Sequence, residues 1–364
     1  MKTNRFPSLA DSVYEKGLPD PLRKPDGSRI ESPLEWQEQR LYLRDMLAHY
    51  LHGHMPERLD PVSVTDIKEA LSDDGSMMIS YSTLHAGIDG KISFSIRMVY
   101  PKTAKKGGFP VIVRNHGSMP EGILLEEKMA VAAGYCLITF DRNEVAIDGP
   151  GRKDLIFQMY PEADWGVTTV WAWAHMRIVD ALSFFPFLNS ENICFTGHSR
   201  GGKAAACAGI WDERAKVVVP NGSGCGGLGC LRFLGSYGGL RQNPKECETI
   251  GSMTQSFPDW CCKTINEFGN MEAPYAVEKE FYLPFDLHFL RAAIAPRAVL
   301  GTEGENDDWV NPVGSYITWS AAREVFDFLG CPSHNRIHFR PGEHEHGEAD
   351  WKALLSFCEE IFSE

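Results

Sequence analysis

From residue 110 to the end of the chain, short apolar runs bounded by Gly and Pro alternate with segments of helical periodicity. Runs that are apolar on both faces are typical of strands in a parallel sheet, and the helical segments serve as crossover connections. The predicted strands are 110–114, 135–140, 192–196, 215–220, 297–301 and 336–339. The predicted helices are 125–133, 167–188, 203–211, 318–329 and 350–363. The alternation predicts an α/β fold with a mostly parallel central sheet and helices on both faces.

The first hundred residues follow a different pattern. Residues 1–60 are rich in Pro and charge and contain one helical stretch at 33–51, so we expect an N-terminal cap packed on the core. Alternating apolar and polar residues at 77–84 and 92–100, with Asp89-Gly90 between them as a turn signal, predict antiparallel strands.

The segment 221–285 interrupts the alternation, because it is Gly-rich, carries cysteines and is weakly periodic. Such a segment predicts long loops or an insertion, and loops on an α/β sheet commonly line the functional site. No internal repeat or low-complexity linker divides the chain. We therefore predict one catalytic domain over 61–364, preceded by the cap.

The net charge of the chain limits the classes of possible partner, and its apolar runs and cysteines indicate the environment in which we expect it. Thirty-six Lys and Arg stand against 49 Asp and Glu, a net charge of −13, and an acidic surface repels nucleic acid and anionic lipid headgroups. No apolar run approaches the roughly 18 residues that a membrane span needs. The N-terminus lacks the apolar centre of a secretion signal, so we expect a cytoplasmic protein. The ten cysteines form no CxxC pair and predict reduced, mostly buried thiols.

A serine stands between the predicted strand 192–196 and the predicted helix 203–211. Gly197-His198-Ser199-Arg200-Gly201 matches G-x-S-x-G, whose glycines permit a sharp turn that lifts the serine hydroxyl clear of the sheet. Strand, turn and helix in this order are typical of the nucleophile elbow of an α/β-hydrolase fold. Ser199 is therefore the predicted nucleophile. A serine hydroxyl needs a positioned imidazole and an orienting acid, so both should follow in the chain.

The loop after the strand 297–301 is rich in carboxylates and lies where such folds place the acid. Asp307 is the first candidate, and Asp308 and Glu305 are alternatives. An alternative is that this loop is simply exposed to solvent and that one of its carboxylates caps a helix. That alternative accounts for the acidic residues but not for their position directly after a strand.

The loop after the last strand offers two candidates for the base, His344 and His346, and spacing alone leaves both open. These histidines and the neighbouring glutamates are an alternative zinc set, but they lack the i, i+4 spacing of helical zinc ligands. We expect no metal and no organic cofactor.

An oxyanion hole needs donors directed at the carbonyl oxygen as it gains charge. The backbone N–H of Arg200 follows the nucleophile and is one candidate. The turn Asn115-His116-Gly117-Ser118, after the strand 110–114, is the second. His116 is alternatively a residue that packs this turn.

Several segments from residue 110 onward resemble the glucuronoyl esterases, a carbohydrate esterase family whose bacterial members are often described as acetylxylan esterase-like. Gly197-His198-Ser199-Arg200-Gly201-Gly202-Lys203 resembles the family's G-x-S-R-x-G-K signature. The other matching segments are Asp164-Trp165-Gly166, Trp171-Ala172-Trp173, Ser223-Gly224-Cys225-Gly226-Gly227, Phe257-Pro258-Asp259-Trp260 and the final Gly342, His344 and Asp350-Trp351.

The resemblance assigns roles to the triad candidates. The family's last motif has its histidine six residues before the Asp-Trp pair, which favours His344 over His346. Some members carry Glu just before S-G-x-G-G. Here that residue is Gly222, so this chain would depend on Asp307.

The resemblance also implies how substrate is bound. Lys203 would donate hydrogen bonds to sugar hydroxyls, and it lies one helical turn from Ser199 on the same face. The Arg200 side chain would support the oxyanion, and Trp260 would stack on a sugar ring.

These expectations describe a serine carboxylic ester hydrolase that acts on carbohydrate esters through an acyl-enzyme intermediate. A uronic acid alkyl ester on a small molecule or oligosaccharide is the expected substrate. The alternatives are a sugar O-deacetylase, a non-catalytic carbohydrate-binding relative and a peptidase. The sequence does not indicate the oligomeric state.

Overall fold

The computed structural model describes residues 6–8, 11–56, 60–236, 239–240, 247–269 and 279–364. The strands are β1 (Ser63–Leu71), β2 (Met77–Ala86), β3 (Ile92–Pro101), β4 (Phe109–His116), β5 (Cys136–Asp141), β6 (Leu188–His198), β7 (Ala215–Asn221), β8 (Gly235–Ser236), β9 (Gly239–Leu240), β10 (Ala298–Gly304) and β11 (Asn335–Arg340). The α-helices are α1 (Trp36–Leu47), α2 (Leu125–Ala132), α3 (Leu155–Met159), α4 (Val167–Ala181), α5 (Arg200–Trp211), α6 (Ile250–Ser256), α7 (Lys263–Gly269), α8 (His288–Ile294), α9 (Pro312–Phe328) and α10 (Glu348–Ser363).

The described residues contain a nine-stranded sheet in the order β1-β2-β3-β5-β4-β6-β7-β10-β11. Strands β5, β4, β6, β7, β10 and β11 pair in parallel, whereas β1, β2 and β3 form an antiparallel meander that joins β5. Each predicted strand is present, and its bounds differ from the predicted ones by at most four residues. The prediction of an α/β fold with a mostly parallel sheet is confirmed.

Helices cover both faces of this sheet. Adjacent strand residues point to opposite faces, so Val111 and Val218 pack with α4 and α5, whereas Ile112 and Val217 pack with α10. Because these strands run parallel, their carboxyl ends meet at one edge of the sheet, and the loops at that edge can carry polar side chains. The site lies at that carboxyl edge.

Several segments differ from the sequence prediction, among them α9, which begins at Pro312 and not at residue 318. The helix predicted over 167–188 ends at Ala181, because a 3-10 turn and a proline precede β6. Strand β1 was not predicted, because this edge strand is exposed along nearly its whole length and has no apolar alternation. The segment 221–285 contains helices α6 and α7 as well as loops, and its residues 237–238, 241–246 and 270–278 lie outside the described residues.

The N-terminal segment packs on the main body where it is described. Predicted helix 33–51 is a 3-10 turn, then α1, then a short π-helix, and the indole N–H of Trp36 donates to the carbonyl oxygen of Ala295 at 3.0 Å. No helix of the described residues is long and apolar enough to cross a membrane. All ten cysteines are described as free thiols, and Cys331 alone among them is not fully buried.

Candidate active site

Ser199 lies on a sharp turn between β6 and α5. Its backbone has φ 57° and ψ −121°, a sparsely populated conformation with positive φ that costs a residue with a side chain about 1–3 kcal/mol. A Cβ on Gly197 would lie 2.4 Å from the carbonyl oxygen of Gly201, so only glycine fits there. The Ser199 N–H donates to the carbonyl oxygen of Asn221 at 2.9 Å, which ties the turn to the end of β7. This is the strained geometry expected of a nucleophile elbow.

The loops after β10 and β11 bring a carboxylate to an imidazole. Oδ2 of Asp307 lies 2.5 Å from Nδ1 of His344, and Asp307 is buried whereas the His344 side chain is 35% exposed. A carboxylate accepts, so Nδ1–H of His344 donates and Nε2 is left free on the opposite side of the ring. The ring of His198, the neighbour of Ser199, lies 4.4 Å from the His344 ring, so this pair lies beside the elbow.

The structure thus brings Asp307, the first candidate for the acid, to His344. The other histidine, His346, stacks on Trp351 with ring centroids 4.9 Å apart. Desolvation and then the neighbouring His198 hold the pKa of His346 well below its usual value. Asp308 begins a 3-10 turn beyond the acid, and the Glu305 N–H donates to the carbonyl oxygen of Arg340.

Gly222 lies directly against this pair. Its φ is +49°, and a Cβ built on it would lie 3.5 Å from Nδ1 of His344 and 3.6 Å from Oδ2 of Asp307. A longer side chain at this position would therefore compete with Asp307 for the same imidazole.

The oxyanion candidates differ in what their side chains do. The Arg200 guanidinium pairs with Oδ2 of Asp148 at 2.5 Å and lies 4.8 Å above the Trp260 ring. Nδ1–H of His116 donates to the carbonyl oxygen of Ser118 at 2.7 Å, so the His116 ring packs its own turn. Burial and then Arg114 lower the pKa of His116, which keeps the ring neutral.

Lys203, which the sequence predicts to donate to sugar hydroxyls, is directed into the protein in this structure. Its side chain is only 4% exposed, and Nζ donates to the carbonyl oxygens of Ser223 and Cys225 at 2.8 and 2.6 Å and to Oε2 of Glu248 at 2.6 Å. An ammonium has three donors, and all three are used inside the protein. Lys203 therefore holds the Gly-rich loop and Glu248 beside the elbow.

Trp260, which is predicted to stack on a sugar ring, is also packed inside the protein. One face of its ring lies on Phe257, with centroids 3.8 Å apart and an interplanar angle of 6°, and the residue is 4% exposed. Its indole N–H donates to Oδ1 of Asp148 at 2.9 Å. A motif gives the residue type and not the burial of the ring, so stacking of Trp260 on a sugar stays a prediction. Trp260 and Asp148 together hold Arg200.

Three residues at the site were not predicted from the sequence. Glu248 and Asp148 lie outside its recognised motifs, and their local sequence gives no signal for a role at the elbow. Trp309 follows Asp307 and Asp308 in the same loop and could have been found, since it is the indole nearest the acid in sequence. It is 43% exposed, and its carbonyl oxygen accepts from the Glu248 N–H at 2.7 Å.

No group of three or more His, Cys, Asp or Glu side chains suited to a metal ion is present in the described part of the chain. The alternative zinc set around His344 is instead divided, because His344 binds Asp307 and His346 stacks on Trp351.

Comparisons with known proteins identify the family of this chain. The family described as fungal glucuronyl esterase matches residues 86–330, more than half of the chain. A 4-O-methyl-glucuronoyl methylesterase of Wolfiporia cocos is 29% identical over 93% of this chain and 78% of the relative. A multidomain esterase of Ruminococcus flavefaciens is 29% identical over 94% of the chain, which spans 46% of that longer protein.

Solved structures show the same fold. A carbohydrate esterase family 15 glucuronoyl esterase from Caldicellulosiruptor kristjansonii has a TM-score of 0.78 and 28% identity, over 98% of this chain and 93% of that one. A promiscuous esterase of family 15 from a marine bacterial metagenome has a TM-score of 0.79 at 22% identity and supports the fold alone. The chain therefore belongs to the glucuronoyl esterase family of carboxylic ester hydrolases.

Proposed function

We propose that this chain hydrolyses an alkyl ester of a glucuronic-acid-type sugar, carried on a small molecule or an oligosaccharide, with Ser199 as the nucleophile. The observation that carries the proposal is the Asp307–His344 pair beside a strained serine elbow in a member of this family. Several of the similar proteins are named 4-O-methyl-glucuronoyl methylesterases, which favours a uronic ester over an acetylated sugar.

The geometry supports a two-step reaction. His344 takes the proton of the Ser199 hydroxyl at Nε2 while Asp307 holds Nδ1–H, and the serine oxygen attacks the ester carbonyl. The N–H of Arg200 and its guanidinium stabilise the oxyanion. His344 then gives its proton to the leaving alcohol, and a water molecule activated by the same imidazole releases the uronic acid and regenerates Ser199.

Trp309 is the residue to which we assign contact with the sugar ring. Its exposed indole lies two residues beyond Asp307, and its backbone is bonded to Glu248, which Lys203 holds beside the elbow. An exposed indole offers an apolar face and an N–H donor, the two features that a pyranose ring binds. Lys203 binds Glu248, and the Glu248 N–H donates to the Trp309 carbonyl oxygen, so these two residues support the loop that carries the indole.

The test is a panel of esters with purified protein: methyl glucuronate, methyl galacturonate, acetylated xylo-oligosaccharide and p-nitrophenyl acetate. We expect methyl glucuronate to give the highest kcat/KM, and Ser199→Ala to lose at least about 10³-fold in kcat. Trp309→Ala should lower kcat/KM for methyl glucuronate by about tenfold and for p-nitrophenyl acetate by less than about twofold.

Phe184→Ala is the matched control for the loss of an exposed ring. Phe184 is 48% exposed and precedes the amino end of β6, whereas Ser199 follows the carboxyl end of that strand. A higher kcat/KM for acetylated xylo-oligosaccharide than for methyl glucuronate would replace the proposed function by deacetylation. Equal losses for both esters in Trp309→Ala would remove the sugar contact from Trp309.

A further inference from the structure

A row of rings runs from the catalytic loop into the core. The His198 ring lies 4.4 Å from the ring of His344 at an interplanar angle of 42°, and 6.3 Å from that of His346 at 28°. His346 in turn stacks on Trp351, a buried residue of α10. His198 is thus packed against the imidazole to which the mechanism assigns both proton transfers.

Hydrogen bonds determine the orientation and tautomer of the His198 ring. Nδ2 of Asn221 donates to the hydroxyl and carbonyl oxygens of Thr302 at 2.9 and 3.3 Å, so its Oδ1 is the atom directed at His198. That oxygen lies 2.6 Å from Nδ1 of His198. Because an amide oxygen only accepts, Nδ1 of His198 carries the hydrogen. The ring is therefore anchored at the ends of β7 and β10.

A residue packed against His344 must not compete with it for the proton that is transferred. The charge state of His198 meets this requirement. Burial, followed by the nearby His344, lowers the pKa of His198 to about 4, and Arg340 acts in the same direction. Asn221 and Asp307 oppose the shift, and His346 faces the ring from the last loop. His198 is neutral near pH 7, whereas His344 gains and loses a proton in each step.

We propose that His198 is a positioning residue whose ring, anchored by Asn221, packs against His344 and keeps that imidazole bonded to Asp307. The inference rests on the proposed function for the role of His344. A single hydrogen bond to Asp307 leaves the His344 ring free to tilt on a partly exposed loop, and the His198 contact restricts that tilt. A misplacement of about 1 Å in a catalytic group can cost about 10²-fold in rate.

Two variants separate the ring from its hydrogen bond. His198→Phe keeps an aromatic ring but not the bond to Asn221, whereas His198→Gln keeps a donor for Asn221 but not the ring. We expect kcat to fall about 10- to 100-fold in His198→Gln with KM within about twofold, and less than about fivefold in His198→Phe. His85→Ala, on the distant strand β2, is the control and should retain full kcat.

A second readout needs no substrate. In a Ser199→Ala background, proton NMR should show the Nδ1 proton of His344 far downfield because it is held by Asp307. We expect this signal to persist in His198→Phe and to broaden through exchange with water in His198→Gln. Thermal unfolding of each variant confirms that it is folded before either measurement.

An unchanged signal and kcat in His198→Gln would overturn the proposal, and so would equal losses in both variants. The NMR result is independent of ester specificity, so the proposed function can fail on the ester panel while the role of His198 stands. Conversely, uronate hydrolysis that is unaffected by both variants leaves the proposed function intact and removes His198 from it.

Discussion

Gly222 faces the catalytic imidazole so closely that a Cβ on it would lie 3.5 Å from Nδ1 of His344. The backbone at Gly222 has φ +49°, which a residue with a side chain adopts at a cost of about 1–2 kcal/mol. A carboxylate introduced there would reach the nitrogen that Asp307 now holds.

We therefore expect Gly222→Glu to restore part of the activity that Asp307→Ala loses. The recovery should be at least about tenfold in kcat over Asp307→Ala, since the new carboxylate orients the same imidazole nitrogen. Gly222→Ala in the same background is the control, because it has the backbone strain without the carboxylate. Equal kcat for the Glu and Ala variants would show that residue 222 does not reach His344.

Asp307→Asn should lower kcat by about 10³- to 10⁴-fold, because the amide favours the wrong tautomer of His344 and cannot balance the imidazolium. Asp308→Asn changes the adjacent carboxylate and should stay within about tenfold. Steady-state kinetics on one ester decide between them. A large loss for Asp308→Asn, with a small one for Asp307→Asn, would contradict the 2.5 Å contact as the catalytic one.

Lys203→Met should destabilise the protein by about 3–5 kcal/mol, because it leaves Glu248 charged and buried without its partner. The double variant Lys203→Met, Glu248→Gln should be more stable than Lys203→Met, since the orphaned charge is removed. Urea unfolding measures both. Activity toward methyl glucuronate and p-nitrophenyl acetate should fall together, because Lys203 holds the loop and not the sugar. A loss of activity confined to methyl glucuronate would show that Lys203 contacts the sugar directly.

Asp148→Asn should lower kcat by about tenfold for sugar and non-sugar esters alike, because the amide cannot pair with Arg200 as a carboxylate does. The N–H of Trp260 can still donate to an amide oxygen, so the fold should persist. Asp154→Asn, on the same loop, is the control and should keep full activity. Full activity in Asp148→Asn would show that Arg200 needs no partner.

Glu303 makes stability depend on pH. Burial, with the nearby carboxylates of Asp307 and Asp350, raises its pKa from 4.5 to about 8. Between these values the unfolded chain binds fewer protons than the folded one, so the free energy of unfolding falls as pH rises, by at most about 1.4 kcal/mol per pH unit.

Glu303→Gln should remove this slope between about pH 5 and pH 8, because glutamine does not titrate. Denaturant unfolding at several pH values measures the effect. Glu305→Gln, two residues further along and half-buried, is the control and should keep the slope of the unaltered protein. The same slope in Glu303→Gln and the unaltered chain would show that Glu303 is ionised in the folded state.

The sequence predicted the elements that carry the site with few errors. Strand β10 and residues 193–197 of β6 are buried on both faces, whereas the edge strand β11 is only partly buried. The short strands and the loops that follow them were enough to predict Ser199, Asp307 and His344 beyond their carboxyl ends. Parallel neighbours end at one edge, so residues far apart in the chain meet there. Strand β1 escaped prediction because an exposed edge strand lacks the apolar residues on which the pattern depends.

The strand and helix pattern from residue 110 onward predicted the α/β fold, and the motif around Ser199 predicted the elbow. The sequence also predicted the two loops that carry the acid and the base, with His344 favoured by the resemblance alone. Which polar side chains remain available to a ligand depends on the tertiary structure. Lys203 meets Glu248 across 45 residues, and Trp260 meets Asp148 across 112. An ammonium or an indole can bind a ligand only if residues from such distant segments do not already occupy it. A local sequence pattern contains no information about those long-range contacts.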